Sequence, residues 1–401
     1  MSMRKTLRRS LVLAIAAALA FSGTTAATAA TKNVEVSVIS STSGGLKPFG
    51  DAYVAGFEWG LKYFTKGTMV VNGQKIVVTK YDDGGLPDTA TAHFKTAVGK
   101  KSKVVVGTVS SGVAVALAPL AAQNKVLYIS GPAKQFLITQ KGSPFSNKYT
   151  FRSGVQTEQD LIPIKGALGA TTKGKRIVLF VEDNAFGDAY IAAAPKLFPD
   201  ATIVGQKVKG TQTDYTADAL KARQANPDVM FVAWSNTATT LAMWTALRQQ
   251  GVLGGVKIVT GLANTAAYPV LGAILGDQVV YSNSYFPGVS KSPIAQALAA
   301  DYKNVAGAVA PYYGEDLFTP DGVNAAQMVV RALGGSKNQN VDQMVRALEG
   351  WKFAAMKGVT QVRASDHALV QPMYEAKLVR EGSAWVPKLV KLYANAAPPT
   401  D

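Results

Sequence analysis

The stretch VVVGTVSSGVAVALAPLAAQNKVLYISGPA, Val104–Ala133, decides the fold. Val104–Val106 is a β-branched run of the kind found in parallel strands buried on both faces. Gly107–Gly112 is small and hydroxyl-rich. Val113–Gln123 is apolar all round, with Pro119 late in it, and reads as a buried helix. Val126–Ile129 is a second short apolar strand, closed by Ser130-Gly131-Pro132. Two consecutive strands of one parallel sheet therefore end in Ser/Gly loops on the same edge, and open α/β sheets bind ligands at that carboxyl edge. A helix starting beside Ser110 and Ser111 offers free N–H groups and a positive dipole end, which favour an anion such as a carboxylate. Gly and Ser also make tight βα turns with no ligand, and this segment alone does not choose between the two uses.

The same alternation runs outward in both directions. Val34–Ile39 reads as a strand, followed by the loop Ser40–Phe49 and a helix over Gly50–Phe64. Ile76–Tyr81 is a strand ending in Asp82-Asp83-Gly84-Gly85, with Asp88 as N-cap of a helix to Val98. Ile177–Val181 ends in Glu182-Asp183-Asn184, and Asp228–Ala233 ends in Trp234-Ser235-Asn236. Thr237–Gln250 is a helix closed by Gly251, and Lys257–Thr260 ends in Gly261-Leu262-Ala263-Asn264. Strands spaced by helices imply parallel sheets covered on both faces. One βα series occupies Val34 to about Arg152 and a second begins near Lys175. Two such lobes facing each other across their carboxyl edges form a cleft, a favoured place for a small ligand. The tail from Ala394 to Asp401 is polar and contains proline, so it is expected to fray.

Composition narrows the chemistry. Of 401 residues, 48% are hydrophobic and 17% charged, which suits large buried cores and not disorder. There is no cysteine, so disulfides, thiol catalysis and thiolate metal sites are excluded. With His93 and His367 the only histidines, a histidine-rich metal site is excluded as well, and neither a cofactor nor a metal is expected. No G-x-S-x-G elbow leads into a helix, and no nucleophile–base pair is legible, so an enzyme is not expected. The formal net charge is +16, or +12 once Arg4, Lys5, Arg8 and Arg9 are set aside. The lysines are scattered, without a nucleic-acid-binding motif, and read as a solvated basic surface. Those four basic residues precede the apolar run Leu11–Phe21 and the small residues Ser22–Ala30, the pattern of a signal peptide over residues 1–30. The apolar run is too short to span a bilayer. The absence of cysteine also excludes a lipid anchor at the cleavage site, so a periplasmic or extracellular protein is expected. Arg8-Arg9 hints at twin-arginine export, but Leu7 departs from that signal.

Read in order, several motifs resemble the periplasmic solute-binding proteins of the branched-chain amino-acid ABC transporter family. They are Pro48-Phe49-Gly50 leading to Gly56-Phe57-Glu58, Tyr81-Asp82-Asp83 followed by Pro87, and Gly107 through Ser110-Ser111. Asn124-Lys125-Val126 to Ser130, Phe151-Arg152, Phe186-Gly187 after Asp183, Thr213-Asp214-Tyr215 and Pro227-Asp228 follow. Gly322 with Ala325, and Arg363-Ala364-Ser365-Asp366-His367 continuing to Gln371-Pro372-Met373-Tyr374, complete the series. The resemblance implies an α/β fold of two Rossmann-like parallel-sheet lobes joined by three hinge crossings. Lobe one is expected at 33–152 plus 285–363, lobe two at 153–284 plus 364–395, and a flexible tail at 396–401. The crossings are expected near Phe151–Gly154, Tyr281–Tyr285 and Val362–Asp366.

By the same resemblance the lobes bind a small ligand between them and present it to an ABC permease in the cytoplasmic membrane, with no nucleic-acid partner. Phe49 takes the place of an aromatic wall. Ser110 and Ser111 match the hydroxyl loop that receives a carboxylate, so Ser111→Ala is expected to weaken binding with little loss of stability. Ala133 and Lys134 match the next strand loop; Lys134 either strengthens an anionic site or points to solvent. Phe186 stands where a Tyr or Trp is usual, so any hydroxyl contact is lost, and Asn236 lies in a loop where a Tyr often helps hold an ammonium. Gly261-Leu262-Ala263-Asn264 offers no acid where amino-acid binders have one, so a carboxylate without an amine, such as an aromatic or short aliphatic acid, or a neutral amide, fits beside Leu262 and Asn264 about as well as a branched-chain amino acid. Asp214, Glu182 or Asp183 reaching in would restore a branched-chain amino acid as ligand. A sensor subunit of the same fold, reporting a small acid or amide to a receptor, is the alternative function. His367 is expected in structural hydrogen bonds, His93 in packing or at the surface, and Trp59, Trp234 and Trp244 mainly in the core. Asp82 and Asp83 are expected to cap a turn.

Overall fold

The computed structural model describes residues 32–400, apart from Ala170, Leu262 and 306–314. The signal peptide expected over residues 1–30 lies outside the described residues.

The β-branched runs build the first sheet. Its strands are β1 (Lys32–Ser40), β2 (Val70–Val71), β3 (Gln74–Asp82), β4 (Val104–Val106), β5 (Leu127–Ser130) and β6 (Thr150–Arg152), in the order β2-β3-β1-β4-β5-β6. Every pair is parallel except β2 with β3. Between them run α1 (Lys47–Phe64), α2 (Pro87–Gly99) and α3 (Ser111–Asn124). Period-two alternation sorts the side chains. Val34, Val36, Val38, Val104, Val106, Leu127, Ile129 and Phe151 enter one core with Tyr53, Phe57 and Leu61 of α1. Ile39, Val105 and Tyr128 enter another with Phe94 of α2 and Val113 and Leu117 of α3. Asp88, expected as an N-cap, sits inside the first turn of α2 because Pro87 begins that helix. A proline at the first helical position needs no N–H partner.

After β6 the chain enters a second sheet through α4 (Thr157–Leu168). There follow β7 (Arg176–Glu182), α5 (Ala185–Leu197), β8 (Thr202–Val208), α6 (Thr216–Gln224), β9 (Val229–Ala233), α7 (Thr240–Gln249), β10 (Lys257–Gly261), α8 (Tyr268–Leu275) and β11 (Val280–Asn283). The chain continues through α9 (Pro293–Val305), α10 (Thr319–Gly334) and α11 (Val341–Leu348), then β12 (Lys352–Ala355), β13 (Gly358–Val362), β14 (Leu369–Glu381) and β15 (Ala384–Ala396). Alternation holds here too: Val178, Phe180, Met230 and Val232 face one core, and Ile177, Leu179, Val181, Val229 and Phe231 the other.

The second sheet is mixed where sequence patterning predicts parallel strands alone. Strands β8, β7, β9, β10 and β11 are parallel, but β14 runs antiparallel to β11 and to β15. A two-residue turn, Gly382-Ser383, joins β14 to β15, and only antiparallel strands accept so short a connection. Ala394–Ala396, expected to fray, closes β15, and Arg363 donates to the carbonyls of Pro398 (2.6 Å) and Pro399 (3.3 Å). β12 and β13 join the second sheet through β14, yet Phe353, Ala355 and Val362 are buried in the first sheet's core with α10 and α11. We call each sheet with its packed helices a lobe. His367, between β13 and β14, stacks on Phe151 of β6 at 3.9 Å with ring planes 4° apart, and its Nδ1 lies 2.9 Å from the Thr150 carbonyl. This is the structural role expected of it.

Candidate functional site: a cleft between two sheet edges

The carboxyl edges of the two sheets face each other across a cavity of about 650 Å³. It is lined by the loops after β1, β3, β4 and β5 on one side, and after β7, β8, β9 and β10 on the other. Such a volume suits a small organic ligand.

On the first wall, α3 begins at the cavity. Ser110 is its N-cap and accepts from the Val113 N–H at 3.4 Å. The N–H groups of Ser111 and Gly112 have no protein acceptor among the described residues, which leaves two donors and a positive dipole end at the cavity lining. Gly107, at φ 115°, brings β4 so close to β1 that a Cβ there would lie 1.8 Å from the Ile39 carbonyl oxygen. Asp83 ties the surrounding loops together, accepting from Ser41 Oγ at 2.6 Å, from Gly85 N at 2.7 Å and from Thr108 Oγ1. Burial raises its pKa and these three donors hold it back. Asp82 accepts from Thr42 N and Gly84 N, so both acids serve the turn, as expected. Phe49 meets Phe318 edge to face at 5.3 Å, and both line the cavity.

On the second wall, Glu182 ends β7 with its carboxylate fully used. Oε1 accepts from Ser235 N (3.0 Å) and Asn236 N (2.7 Å), and Oε2 from Asn184 Nδ2 (3.0 Å) and Ser235 Oγ. A carboxylate has about four acceptor positions, and none is left for a ligand ammonium. Asp183 pairs with Lys207 at 3.1 Å, and Asp214 caps Thr216 N at 2.8 Å. Asn236 lines the cavity, but Nδ2 donates to Gly210 O (2.8 Å) and Oδ1 accepts from Ala238 N (3.1 Å). Phe186 packs edge to face on Tyr190 at 5.1 Å. Trp234 and Trp244 belong to the core and also line the cavity, with Trp234 Nε1 donating to Thr239 Oγ1 at 3.1 Å. Asn264 lines the cavity as well, whereas Leu262 lies outside the described residues. Trp59 lies apart and donates to Asp301 at 3.1 Å.

Ala133 does different work, and Lys134 lines the cavity with its charge already paired. Ala133 is buried in the core of the first lobe and is absent from the cavity lining; its carbonyl accepts from Arg152 Nη1 at 2.9 Å. Lys134 is neither solvent-directed nor an unspent cation. Its Nζ lies 2.6 Å from Asp160 Oδ2 on α4 and 5.7 Å from the Phe318 ring centroid. Tyr190 donates to the same Asp160 oxygen; burial, and then that carboxylate, raise the phenol's pKa well above its ordinary value. Lys209 at the cavity mouth is exposed and has no ion-pair partner among the described residues.

Sequence reasoning missed the contacts that join the walls. The Gly45 carbonyl accepts from Thr237 N (3.1 Å) and Thr237 Oγ1 (2.8 Å). Gln135 Nε2 donates to the Ala185 carbonyl at 2.8 Å. Asp316 accepts from Thr265 N and Oγ1 at 3.0 and 2.9 Å, and burial raises its pKa. The signal for Gly45 was the Gly44-Gly45 pair in a loop after a strand end.

Ser111 Oγ accepts from Lys134 N (3.3 Å) and Gln135 N (3.2 Å), so it braces the neighbouring loop and keeps its own proton to donate. Ser111→Ala should therefore lower stability by about 1 kcal/mol, more than the small loss expected from sequence, and weaken binding of an acid about tenfold. Urea unfolding and calorimetry on the same variant measure both. Unchanged values in both would remove Ser111 from the site.

The periplasmic binding protein family profile matches residues 33–383. A Leu/Ile/Val-binding protein homolog of Brucella melitensis biotype 1 is 27% identical over 310 residues, covering 73% of this chain and 79% of its own. A Rhodopseudomonas palustris CGA009 structure, described as an ABC-type branched-chain amino acid transporter, is 27% identical at TM-score 0.72, with 92% of this chain and 99% of that one covered. A solute-binding protein of an ABC transporter from Rhodopseudomonas palustris BisB5, in complex with 3,4-dihydroxybenzoic acid, is 22% identical at TM-score 0.77 over 92% and 99%. With two α/β layers meeting at a ligand-sized cleft, and a profile match along nearly the whole described chain, this chain belongs to the periplasmic binding protein family, as a solute-binding protein of the ABC transporter type.

Proposed function

We propose that this protein captures a small carboxylate with an apolar or aromatic body in the interlobe cleft, and delivers it from the periplasm to the permease of an ABC importer. The observation that carries the ligand class is the saturation of Glu182, the acid that ends β7 on the second wall. Glu182 is saturated by four protein donors, Asp183 is paired with Lys207, and Asp160 is held by Lys134 and Tyr190. An α-ammonium enclosed beside Glu182 would find no free acceptor on that carboxylate, at a cost of several kcal/mol. The first wall supports the other half of the reading, since the start of α3 offers two unaccepted N–H groups and the Ser111 hydroxyl. Phe49, Phe186, Trp234 and Phe318 supply apolar cover worth about 25 cal/mol for each Å² of ligand removed from water.

Sequence patterning and the three passages between the sheets support closure about hinges after β6, after β11 and between β13 and β14. Lobe one would comprise 33–152 and 285–363, and lobe two 153–284 and 364–395. Calorimetric titrations with leucine and with its des-amino analogue, 4-methylpentanoate, test the ligand class. The acid is expected to bind at least about tenfold more tightly, as an unpaired ammonium demands. Tight leucine binding with a silent acid would return the site to branched-chain amino acids.

A further inference from the structure

Most polar side chains lining the cleft are spent on the protein; the exposed Lys209 and Thr211, and the Trp244 indole, make no side-chain hydrogen bond among the described residues. Ser110 donates to Gly85 O, Thr237 to Gly45 O, and Thr260 to Val232 O. Asn184 and Asn236 use both ends of their amides. Asn264 differs. It is 94% buried, lines the cavity, and its carboxamide has no hydrogen-bond partner among the described residues. Its position makes this more telling. Asn264 precedes the short turn Thr265–Ala267 with extended backbone (φ −65°, ψ 162°), the setting in which an asparagine side chain normally caps the next N–H groups. Here the side chain makes no such bond; the backbone carbonyl accepts from Ala267 N at 3.0 Å instead. The loop does not depend on that side chain either, because Asp316 anchors it through Thr265. The Asn264 amide atoms keep contact with the cavity, so a ligand that fills the cleft either satisfies them or leaves them unmatched at a cost of about 1–3 kcal/mol.

The geometry points to a ligand narrower in class than an acid with an apolar body: an aromatic acid with a hydroxyl on the ring end remote from the carboxylate, read by the carboxamide of Asn264. This rests on the carboxylate reading above, in which the acid group sits at α3 on the first wall. The ligand's other end then meets the second wall, where Asn264 lies. A carboxamide presents a donor and an acceptor side by side, and a hydroxyl can answer both. An ammonium would find only a neutral carbonyl there. Asn264 is thus a specificity residue for the distal group.

The test is a pair of calorimetric titrations, benzoate and 4-hydroxybenzoate, on the wild-type protein and on Asn264→Leu and Asn264→Asp. Wild type is expected to prefer 4-hydroxybenzoate about fivefold or more, the worth of one or two buried neutral hydrogen bonds. In Asn264→Leu that ratio should fall to about one. Asn264→Asp, which keeps an acceptor for the hydroxyl, should retain a preference. Circular dichroism and the melting profile check that each variant is folded. Equal binding of the two acids by wild type, or an Asn264→Leu variant that weakens both by the same factor, overturns the role of Asn264 while the carboxylate reading stands. If wild type binds leucine and neither acid, both readings fall together.

Discussion

Gly45→Val is expected to lower ligand affinity about hundredfold, roughly 2.7 kcal/mol, without unfolding either lobe. A Cβ at residue 45 would lie 2.2 Å from Asn236 Oδ1 and 2.8 Å from its Cγ, across the cleft. The amide cannot yield cheaply. Its Nδ2 is bonded to Gly210 O, its Oδ1 to Ala238 N, and its backbone N–H to Glu182. The Gly45 carbonyl also receives both donors of Thr237, so widening the gap breaks those bonds as well. Gly45 is not in the left-handed region, so its backbone tolerates a side chain and the penalty arises only when the walls meet. The variant would therefore bias the protein toward an open form, and affinity falls by the cost of reaching the closed one. Small-angle scattering should show a radius of gyration that shrinks with ligand in the wild type and stays constant in the variant at the same concentration. Wild-type affinity in Gly45→Val would remove this contact from closure.

The reasons why some of this was legible and some was not are physical. β4, β5, β7 and β9 were readable because a strand buried on both faces must be apolar at every position, and such runs are conspicuous. Once the strands were parallel, the residues following each were bound to gather at one edge. That is why Ser110, Ser111, Phe186, Asn236 and Asn264, up to 154 residues apart, line one cavity. Side-chain direction within a loop has no period, so Ala133 was placed on the right loop but assigned the wrong surroundings, and the ion partner of Lys134 stayed hidden. Ala133 turns into the core, and Lys134 finds Asp160, a partner 26 residues on in the other lobe. The Gly45–Thr237 contact joins residues 192 apart through a backbone carbonyl, which leaves no trace in side-chain pattern. The saturation of Glu182 was equally invisible: a strand-terminal glutamate looks the same whether four donors surround it or none. The antiparallel β14–β15 hairpin escaped because β15 is largely exposed at the sheet edge, where alternation between apolar and polar residues weakens.

The largest effect on stability is expected from Lys134→Met, at about 3 kcal/mol or more. The ammonium is buried against Asp160 at 2.6 Å, with 13% and 5% of the two side chains exposed, so solvent does little to screen the pair. Methionine fills most of the space but leaves the carboxylate facing the Tyr190 hydroxyl alone, and an uncompensated buried charge is the costly half of a broken ion pair. The pair also ties the loop after β5 to α4, from one lobe to the other, so its loss loosens the first passage between them. If this is the role of Lys134, neutralising its partner should restore much of the loss. Lys134→Met combined with Asp160→Asn should recover about half or more, because asparagine can still accept from Tyr190 and carries no charge to strand. An anion-anchoring lysine predicts a different pattern. Lys134→Met would then leave the unfolding midpoint nearly unchanged and lower acid affinity steeply, and Asp160→Asn would rescue nothing. Urea unfolding of both single variants and the double variant, with calorimetry on each, separates the two: an interaction energy in the unfolding cycle assigns Lys134 to the ion pair, and its absence with a steep affinity loss assigns it to the ligand.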